Sequence, residues 1–466
     1  MIALTIADIA TIVGGEIAPG VDATLVIDGS VQTDSRLVEA GSLFFALQGE
    51  ETDGYLYAPA AVVRGAALVI AERPIELDAP VIVVSDGVAA LADLARAVVT
   101  RVRSSGDLTV VAITGSNGKT TTKNMLGAIL SRVGPTVAPN DSFNNHIGAP
   151  ISMLRISFET RYLVVEMGAS HCGEIAHLAG IALPDLAVVL KVGLAHVGEF
   201  GGVEATQAAK SELVTGLGEH AVVVLNADDE RVASMAQLTR ASVRWFGLGT
   251  LADIRATHVR GSATGTSFTA VTPEREMTVQ LRIVGEHHVM NALAALTVAR
   301  ELGLDLADSV AALEGMHRAE RWRMEVLPAP SGAVIINDAY NASPDSTAAA
   351  LRTLVQLRPA LGRSIAVLGE MTELGDASAE HHADIGRLAA ALGVDELVVV
   401  GSAARSAHDA AAAVSEWTGH TAFVDTPDLA HDLLDAWLRD GDVVLVKSSK
   451  SAGLRFVGDR LAGVSA

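Results

Sequence analysis

A short apolar run, Thr109-Val110-Val111-Ala112-Ile113, leads into Gly115-Ser116-Asn117-Gly118-Lys119-Thr120, and helix-forming sequence follows. Strand, glycine turn and helix start, in that order, make a phosphate-binding loop. Glycines let backbone N–H groups close on phosphate oxygens, and the helix dipole favours the anion. In this reading Gly115, Ser116, Asn117, Gly118 and Thr121 cradle the phosphates, Lys119 reaches the terminal ones, and the Thr120 hydroxyl faces Mg²⁺. The first glycine of the common pattern would fall at Ile113, two positions before Gly115. The plain alternative is an ordinary glycine turn before a helix.

A magnesium–nucleotide site also needs an acid at the end of a neighbouring strand. Glu166 is so placed, closing Tyr162-Leu163-Val164-Val165-Glu166; the alternative is a paired structural carboxylate. His196 follows another apolar run in Gly193-Leu194-Ala195-His196, where a lone histidine reads as a structural hydrogen bonder. Lys210, in Ala208-Ala209-Lys210-Ser211-Glu212, reads by itself as a solvated helix lysine. Asn144-Asn145-His146-Ile147-Gly148 offers amides that can orient a substrate or phosphate, with a capped turn as the default.

The elements that must position these groups alternate as in α/β proteins. Residues 1–106 form a small α/β unit, with helices at 6–13, 58–64 and 88–101 and strands at 43–47, 67–71 and 81–84. Thr33-Asp34-Ser35-Arg36 and Gly49-Glu50-Glu51-Thr52-Asp53-Gly54 read as solvated turns or as an anion or ribose site. Ser104-Ser105-Gly106-Asp107 reads as a linker. Residues 107–325 carry strands at 109–113, 162–166, 186–190 and 221–225, with helices at 119–131, 203–216, 228–238 and 287–302. The polar–apolar alternation of 257–284 predicts an antiparallel insertion or edge. Residues 326–466 repeat the grammar, with strands at 332–337, 365–368, 396–400 and 443–446. The helix after Asp338-Ala339-Tyr340-Asn341-Ala342 opens on Ser343 and Pro344. Ligands of such sheets sit at the carboxyl ends of the strands.

Composition limits the function. The chain has 466 residues, half of them hydrophobic, and a net charge of −21. That charge argues against a nucleic-acid surface, but a nucleotide can still be held by local N–H groups, a lysine and metal. No apolar run reaches the length of a membrane span. The N-terminus lacks a basic region and carries Asp8, unlike a secretory signal. The single cysteine, Cys172, excludes an intrachain disulfide and is expected to be a buried thiol. These points predict a cytoplasmic protein without membrane insertion.

Taken together, the motifs resemble the Mur ligases, ATP-dependent amide-forming enzymes of peptidoglycan precursor synthesis. The stretch from Thr114 to Lys123, TGSNGKTTTK, marks the wider family. NNHIGAP at 144–150, VVEMGAS at 164–170, DAYNASPDS at 338–346 and LGEMTELG at 368–375 resemble one branch of it. That branch joins D-alanyl-D-alanine to a UDP-N-acetylmuramoyl-tripeptide through an acyl phosphate. The resemblance implies three α/β domains: an N-terminal UDP-binding module, a central P-loop-type parallel-sheet ATPase domain and a C-terminal Rossmann-like domain. It also implies ATP with two Mg²⁺, Glu166 holding one ion, and His196 with a carbamylated Lys210 meeting the second. Asn291 matches the residue near adenine and Asp338 the one at the ribose. Arg323, beside Met324-Glu325-Val326, matches the arginine of the terminal phosphate, with Arg321 as the alternative. Ser35 and Arg36 fall in the UDP-sugar module, and Asn144, Asn145, Tyr340 and Asn341 on the substrate side. The chain departs from the family pattern at Tyr55, where histidine is usual, at Glu370, where aspartate is common, and at Lys447-Ser448-Ser449-Lys450, where Lys-Gly-Ser-Arg is common. A monomer is expected. A third-residue-adding Mur ligase and a P-loop hydrolase are the competing readings.

Overall fold

The computed structural model describes residues 1–49, 52–139, 142–194, 202–262, 264–318 and 320–464. Glu50 and Glu51 of the second polar cluster, and His196, lie outside the described residues. Three sheets dominate, and each lies where α/β alternation was expected. The first has the order Glu16–Ile17, Val81–Val83, Leu68–Ala71, Leu43–Ala46, Val31–Gln32, with only the first strand antiparallel to its neighbour.

The central sheet carries the phosphate loop. From one edge it runs Thr136–Val137, Tyr162–Glu166, Thr109–Thr114, Leu186–Val189, Val222–Asn226, Ser242–Gly247 and Ile254–Ser262, all parallel. Gly265–Val271 and Glu276–Leu281 then extend it antiparallel, as the alternation predicted. Strand Thr109–Thr114 sits between a strand reached through one edge and a strand on its other side. Such a reversal opens a crevice at the carboxyl ends.

Side chains of this strand alternate between two cores. Val110 and Ala112 face a core shared with the N-terminal unit; Val111 and Ile113 face one built with helices Lys119–Leu130, His288–Glu301 and Leu306–Glu314. Helix Gly87–Ser105 belongs to the first core through Leu91, Leu94, Val98, Val99 and Val102. Its burial corrects one expectation: Ser104 and Ser105 are the last helical residues and not linker. Helix 228–238 is also broken, into Glu230–Ser234 capped by Asp229 and a 3₁₀ turn, Met235–Leu238.

The last sheet pairs Glu325–Pro328 antiparallel with Val334–Asn337, then continues in parallel through Val443–Lys447, Ser364–Leu368, Glu396–Val400 and His420–Val424. Cys172 is exposed, against the expectation of a buried thiol. It lies in the turn before helix Glu174–Ala182, which turns its apolar side chains inward from Ile175 onward. Among the described residues no helix is long and apolar enough to cross a membrane.

Candidate active site

The phosphate loop needs its glycines. Gly115 and Gly118 have φ of +148° and +88°. A Cβ on Gly118 would stand 2.3 Å from Asn291 Oδ1, and one on Gly115 2.9 Å from Leu190 Cβ. The backbone therefore has to be bare where it turns. Ser116 ties the loop to the next strand's end: its N–H donates to Lys191 O (2.8 Å), and its Oγ accepts from Gly193 N–H (2.8 Å). Lys119 opens helix Lys119–Leu130 and folds back, donating from Nζ to Gly115 O at 2.7 Å. Burial lowers the Lys119 pKa, opposed by the Glu166 carboxylate and reinforced by Arg323.

Glu166 is the hub. It is 2 % exposed. Thr120 Oγ1 donates to its Oε2 (2.9 Å), while Ser142 Oγ and Asn144 Nδ2 donate to Oε1 (2.9 and 2.8 Å). Lys123, one helical turn past Lys119, brings Nζ to 3.7 Å from Oε2. Burial alone would raise the Glu166 pKa. Lys119, Lys123 and Arg323 outweigh it, so the carboxyl is held below its ordinary value and is ionised at neutral pH. One carboxylate beside one hydroxyl suits a hard divalent ion that takes its other oxygens from phosphate and water. Among the described residues no group of three or more His, Cys, Asp or Glu side chains gathers to hold a metal unaided.

A cavity of about 510 Å³ opens from this point toward the last domain. Its walls include Gly118, Lys119, Thr120, Glu166 and Asn291 from the central domain, Arg323 at the junction, and Asp338, Tyr340, Asn341 and Lys447 from the last domain. At one end His287 and His288 lie with ring centroids 4.1 Å apart, and Asn291 Nδ2 is 3.3 Å from His288 Nδ1. Burial lowers the pKa of both histidines, and protonation of His287 or the charge of Arg323 would lower that of His288 further; both are neutral at pH 7. At the other end Asp338 accepts from Met324 N–H (3.0 Å) and from Lys447 Nζ (2.6 Å). Two cations stand over the Tyr340 ring, Arg323 at 4.3 Å and Lys450 at 5.4 Å from its centre.

The two candidate arginines separate cleanly. Arg321 bonds Asp459 at 2.8 Å and approaches Glu325 at 3.5 Å, tying the junction to helix Leu454–Leu461. Arg323 lines the cavity, and its buried Nε has no hydrogen-bond partner among the described residues.

Other expected residues stand elsewhere. Lys210, on helix Val203–Thr215, is buried, which overturns its reading as a solvated lysine. Burial, and then the charge of Lys119, lowers its pKa to about 7. Asn145 caps the start of helix Gly148–Met153 through Gly148 N–H (2.8 Å), outside the cavity wall. Ser35 and Arg36 sit in the N-terminal domain on the 3₁₀ turn Ser35–Leu37, where Asp34 holds the exposed Arg36 guanidinium at 2.6 Å. At the unusual Tyr55, the Arg73 guanidinium stacks 4.0 Å from the ring centre and pairs with Asp53.

Sequence reading passed over several residues that the structure brings in. Lys123 was visible as the i+4 partner of Lys119. Ser142 and His288 gave no spacing signal. Asp345, at the first turn of helix Pro344–Leu357, accepts from Leu194 N–H (2.9 Å) and stands 3.6 Å from Lys191 Nζ.

Comparison with known proteins finds one family along most of the chain. The sequence matches the Mur ligase family catalytic domain over residues 29–103, the Mur ligase middle domain over 113–299, and the Mur ligase glutamate ligase domain over 322–450. It is 42 % identical to the UDP-N-acetylmuramoyl-tripeptide–D-alanyl-D-alanine ligase of Mycobacterium tuberculosis, covering 99 % of this chain and 98 % of that one. The protein of the same name from Escherichia coli is 32 % identical, with 98 % of each chain covered. Among solved structures, MurF from Acinetobacter baumannii superposes with a TM-score of 0.88 at 32 % identity over 99 % of both chains. MurF ligase from Thermotoga maritima in complex with ADP gives 0.79 at 29 %, covering 93 % of this chain and 97 % of that one.

Proposed function

This chain belongs to the Mur ligase family, and we propose that it joins D-alanyl-D-alanine to UDP-N-acetylmuramoyl-tripeptide with consumption of ATP. One observation carries the reading: the cavity that begins at the phosphate loop and Glu166 is closed by Asp338, Tyr340, Asn341 and Lys447 of the last domain. A hydrolase has no need of a second α/β domain as one wall of its nucleotide site. A ligase must bring a second substrate there.

The chemistry follows from the leaving group. A carboxylate does not condense with an amine in water, because its oxygen leaves poorly. Phosphoryl transfer to the tripeptide carboxylate gives an acyl phosphate, and the dipeptide amine displaces phosphate from it. The protein positions these groups and offsets charge. The loop N–H groups and Lys119 hold the phosphates, Arg323 meets the terminal one, and Asn291 and His288 face the base. Asp338 takes the ribose. Thr120 and Glu166 would hold one Mg²⁺, which screens repulsion between the anionic acceptor and the γ-phosphate. His196 and Lys210, the latter as a carbamate, are proposed for a second ion. Burial and a lowered pKa support that modification of Lys210, because a neutral amine is what adds carbon dioxide. Asn144, Asn145, Tyr340 and Asn341 are assigned to the acceptor and dipeptide, and Ser35 and Arg36 to the UDP end. We place the enzyme in the cytoplasm as a monomer, with domains at 1–106, 107–325 and 326–466.

The test is an incubation with Mg-ATP, the UDP-linked tripeptide and D-alanyl-D-alanine, following phosphate and product together. Phosphate release that requires both acceptor and dipeptide is expected. Release indifferent to the dipeptide would sink the ligase reading.

A further inference from the structure

Between helix Leu306–Glu314 and strand Glu325–Pro328 the chain crosses from the central domain to the last one. Arg323 stands at the end of this crossing. It lines the cavity, and its buried Nε has no hydrogen-bond partner among the described residues. Its two neighbours, Trp322 and Met324, have φ of +58° and +51°, a region unfavourable for residues with a Cβ. Such residues persist where their surroundings over-determine them. Here the surroundings belong to the last domain. Asp459, on helix Leu454–Leu461, is 1 % exposed and stands outside the cavity wall. Its Oδ2 accepts from the Trp322 indole N–H (2.9 Å) and from Arg321 Nη2 (2.8 Å), and its Oδ1 from Asn337 Nδ2 (3.1 Å). The Trp322 backbone is bonded as well, its N–H to Glu325 Oε2 (3.0 Å) and its carbonyl to Tyr340 N–H (3.1 Å).

These bonds close a ring. Asp459 holds Trp322, the residue before Arg323, and Asn337, the residue before Asp338; Asp338 Oδ1 then accepts from Met324 N–H (3.0 Å), the residue after Arg323. The two cavity residues of the ring depend on it unequally. Asp338 is also fixed by the sheet, with its N–H on Val446 O (2.9 Å), and by Lys447 Nζ at 2.6 Å from its carboxylate. Arg323 lies before the first strand of that sheet, so the ring decides where its guanidinium points. We propose that Asp459 is a positioning residue, which locks the crossing in the conformation that presents Arg323 to the terminal phosphate. The assignment rests on the ligase reading above, in which Arg323 meets that phosphate. A carboxylate suits the task because both of its oxygens accept, and three donors converge on it. Without it Trp322 and Met324 relax and the aim of Arg323 is lost. A nucleoside diphosphate, which lacks the terminal phosphate, is held as before.

The experiment separates aim from stability. Full-length Asp459→Ala, Trp322→Phe, Arg323→Ala and the double variant of Asp459→Ala with Arg323→Ala are titrated by calorimetry in Mg²⁺. One series uses a non-hydrolysable ATP analogue and the other ADP. Asp459→Ala is expected to weaken the analogue about 10-fold, the scale of one charged hydrogen bond, and ADP by less than about threefold. Trp322→Phe, which removes the indole donor and leaves the Arg321 pair, is expected to shift the two ligands in the same unequal way. On top of Arg323→Ala, Asp459→Ala should add less than about twofold, because residues acting through one another are not additive. Equal weakening of both ligands, or no weakening, would overturn the assignment, and so would full additivity with Arg323→Ala. If Asp459→Ala does not fold, Trp322→Phe decides by the same comparison of ligands. If Arg323→Ala leaves the analogue as tightly bound as before, the phosphate role of Arg323 fails first, and the assignment of Asp459 falls with it.

Discussion

Glu166 carries a heavy electrostatic load. Its carboxylate is buried among Lys119, Lys123 and Arg323, and removing one member of a buried ion pair leaves the others uncompensated. Glu166→Ala should therefore cost about 3 kcal/mol in the ligand-free protein, or roughly 6–12 °C in the midpoint of the domain that holds it. Thermal unfolding followed by fluorescence reads this, and a shift under about 1 °C would mean that water already relaxes the cluster. Lys210 allows a sharper chemical test. Lys210→Ala should lose most activity while keeping its thermal midpoint within a few degrees, and formate or acetate should restore part of the rate by supplying the missing carboxylate. Full activity without any added carboxylate would remove Lys210 from the mechanism.

At the scale of elements, the turn between strand Thr109–Thr114 and helix Lys119–Leu130 is the least replaceable piece. Gly118→Ala puts a methyl against Asn291 Oδ1 and forces a side chain onto a positive φ. ADP affinity by calorimetry should drop at least about 100-fold, close to 3 kcal/mol; an unchanged affinity would contradict the assigned loop. This turn was legible in the sequence because its glycines and lysine act locally, and so was Tyr162–Glu166, four apolar residues ended by an acid. Other elements gave weaker signals. Strand Ser242–Gly247 carries Arg244 in mid-strand, which reads as loop until Glu301 is found 2.7 Å away on another element. Thr136–Val137 is a two-residue edge, too short for any period. Ser142 and Asp345 join the site only because distant segments approach one another, which spacing along the chain does not encode. Lys210 shows the converse: residue type and helical setting suggest a solvated side chain, and only packing reveals that it is buried.

The whole molecule divides unequally. One continuous hydrophobic core joins the N-terminal unit to a face of the central sheet through helix Gly87–Ser105. The last domain meets the central one through polar contacts, Asp345 to Leu194 N–H and Gln356 to Glu286 at 2.7 Å, and through Val284, which packs into the last domain's core. Polar interfaces of this kind open at low cost. Solution scattering should show a more compact envelope with a non-hydrolysable ATP analogue and UDP-linked tripeptide than without them, the change confined to the last domain. Identical curves would refute that motion. A practical consequence lies in the exposed turn before helix Glu174–Ala182. Cys172 is the chain's sole thiol and is accessible. The N–H of the next residue, Gly173, donates to Glu212 Oε1 at 2.6 Å, two residues beyond Lys210 on the same helix. A maleimide dye added to the unaltered protein would therefore attach at a single address beside that helix, giving a fluorescence reporter of the site without engineering.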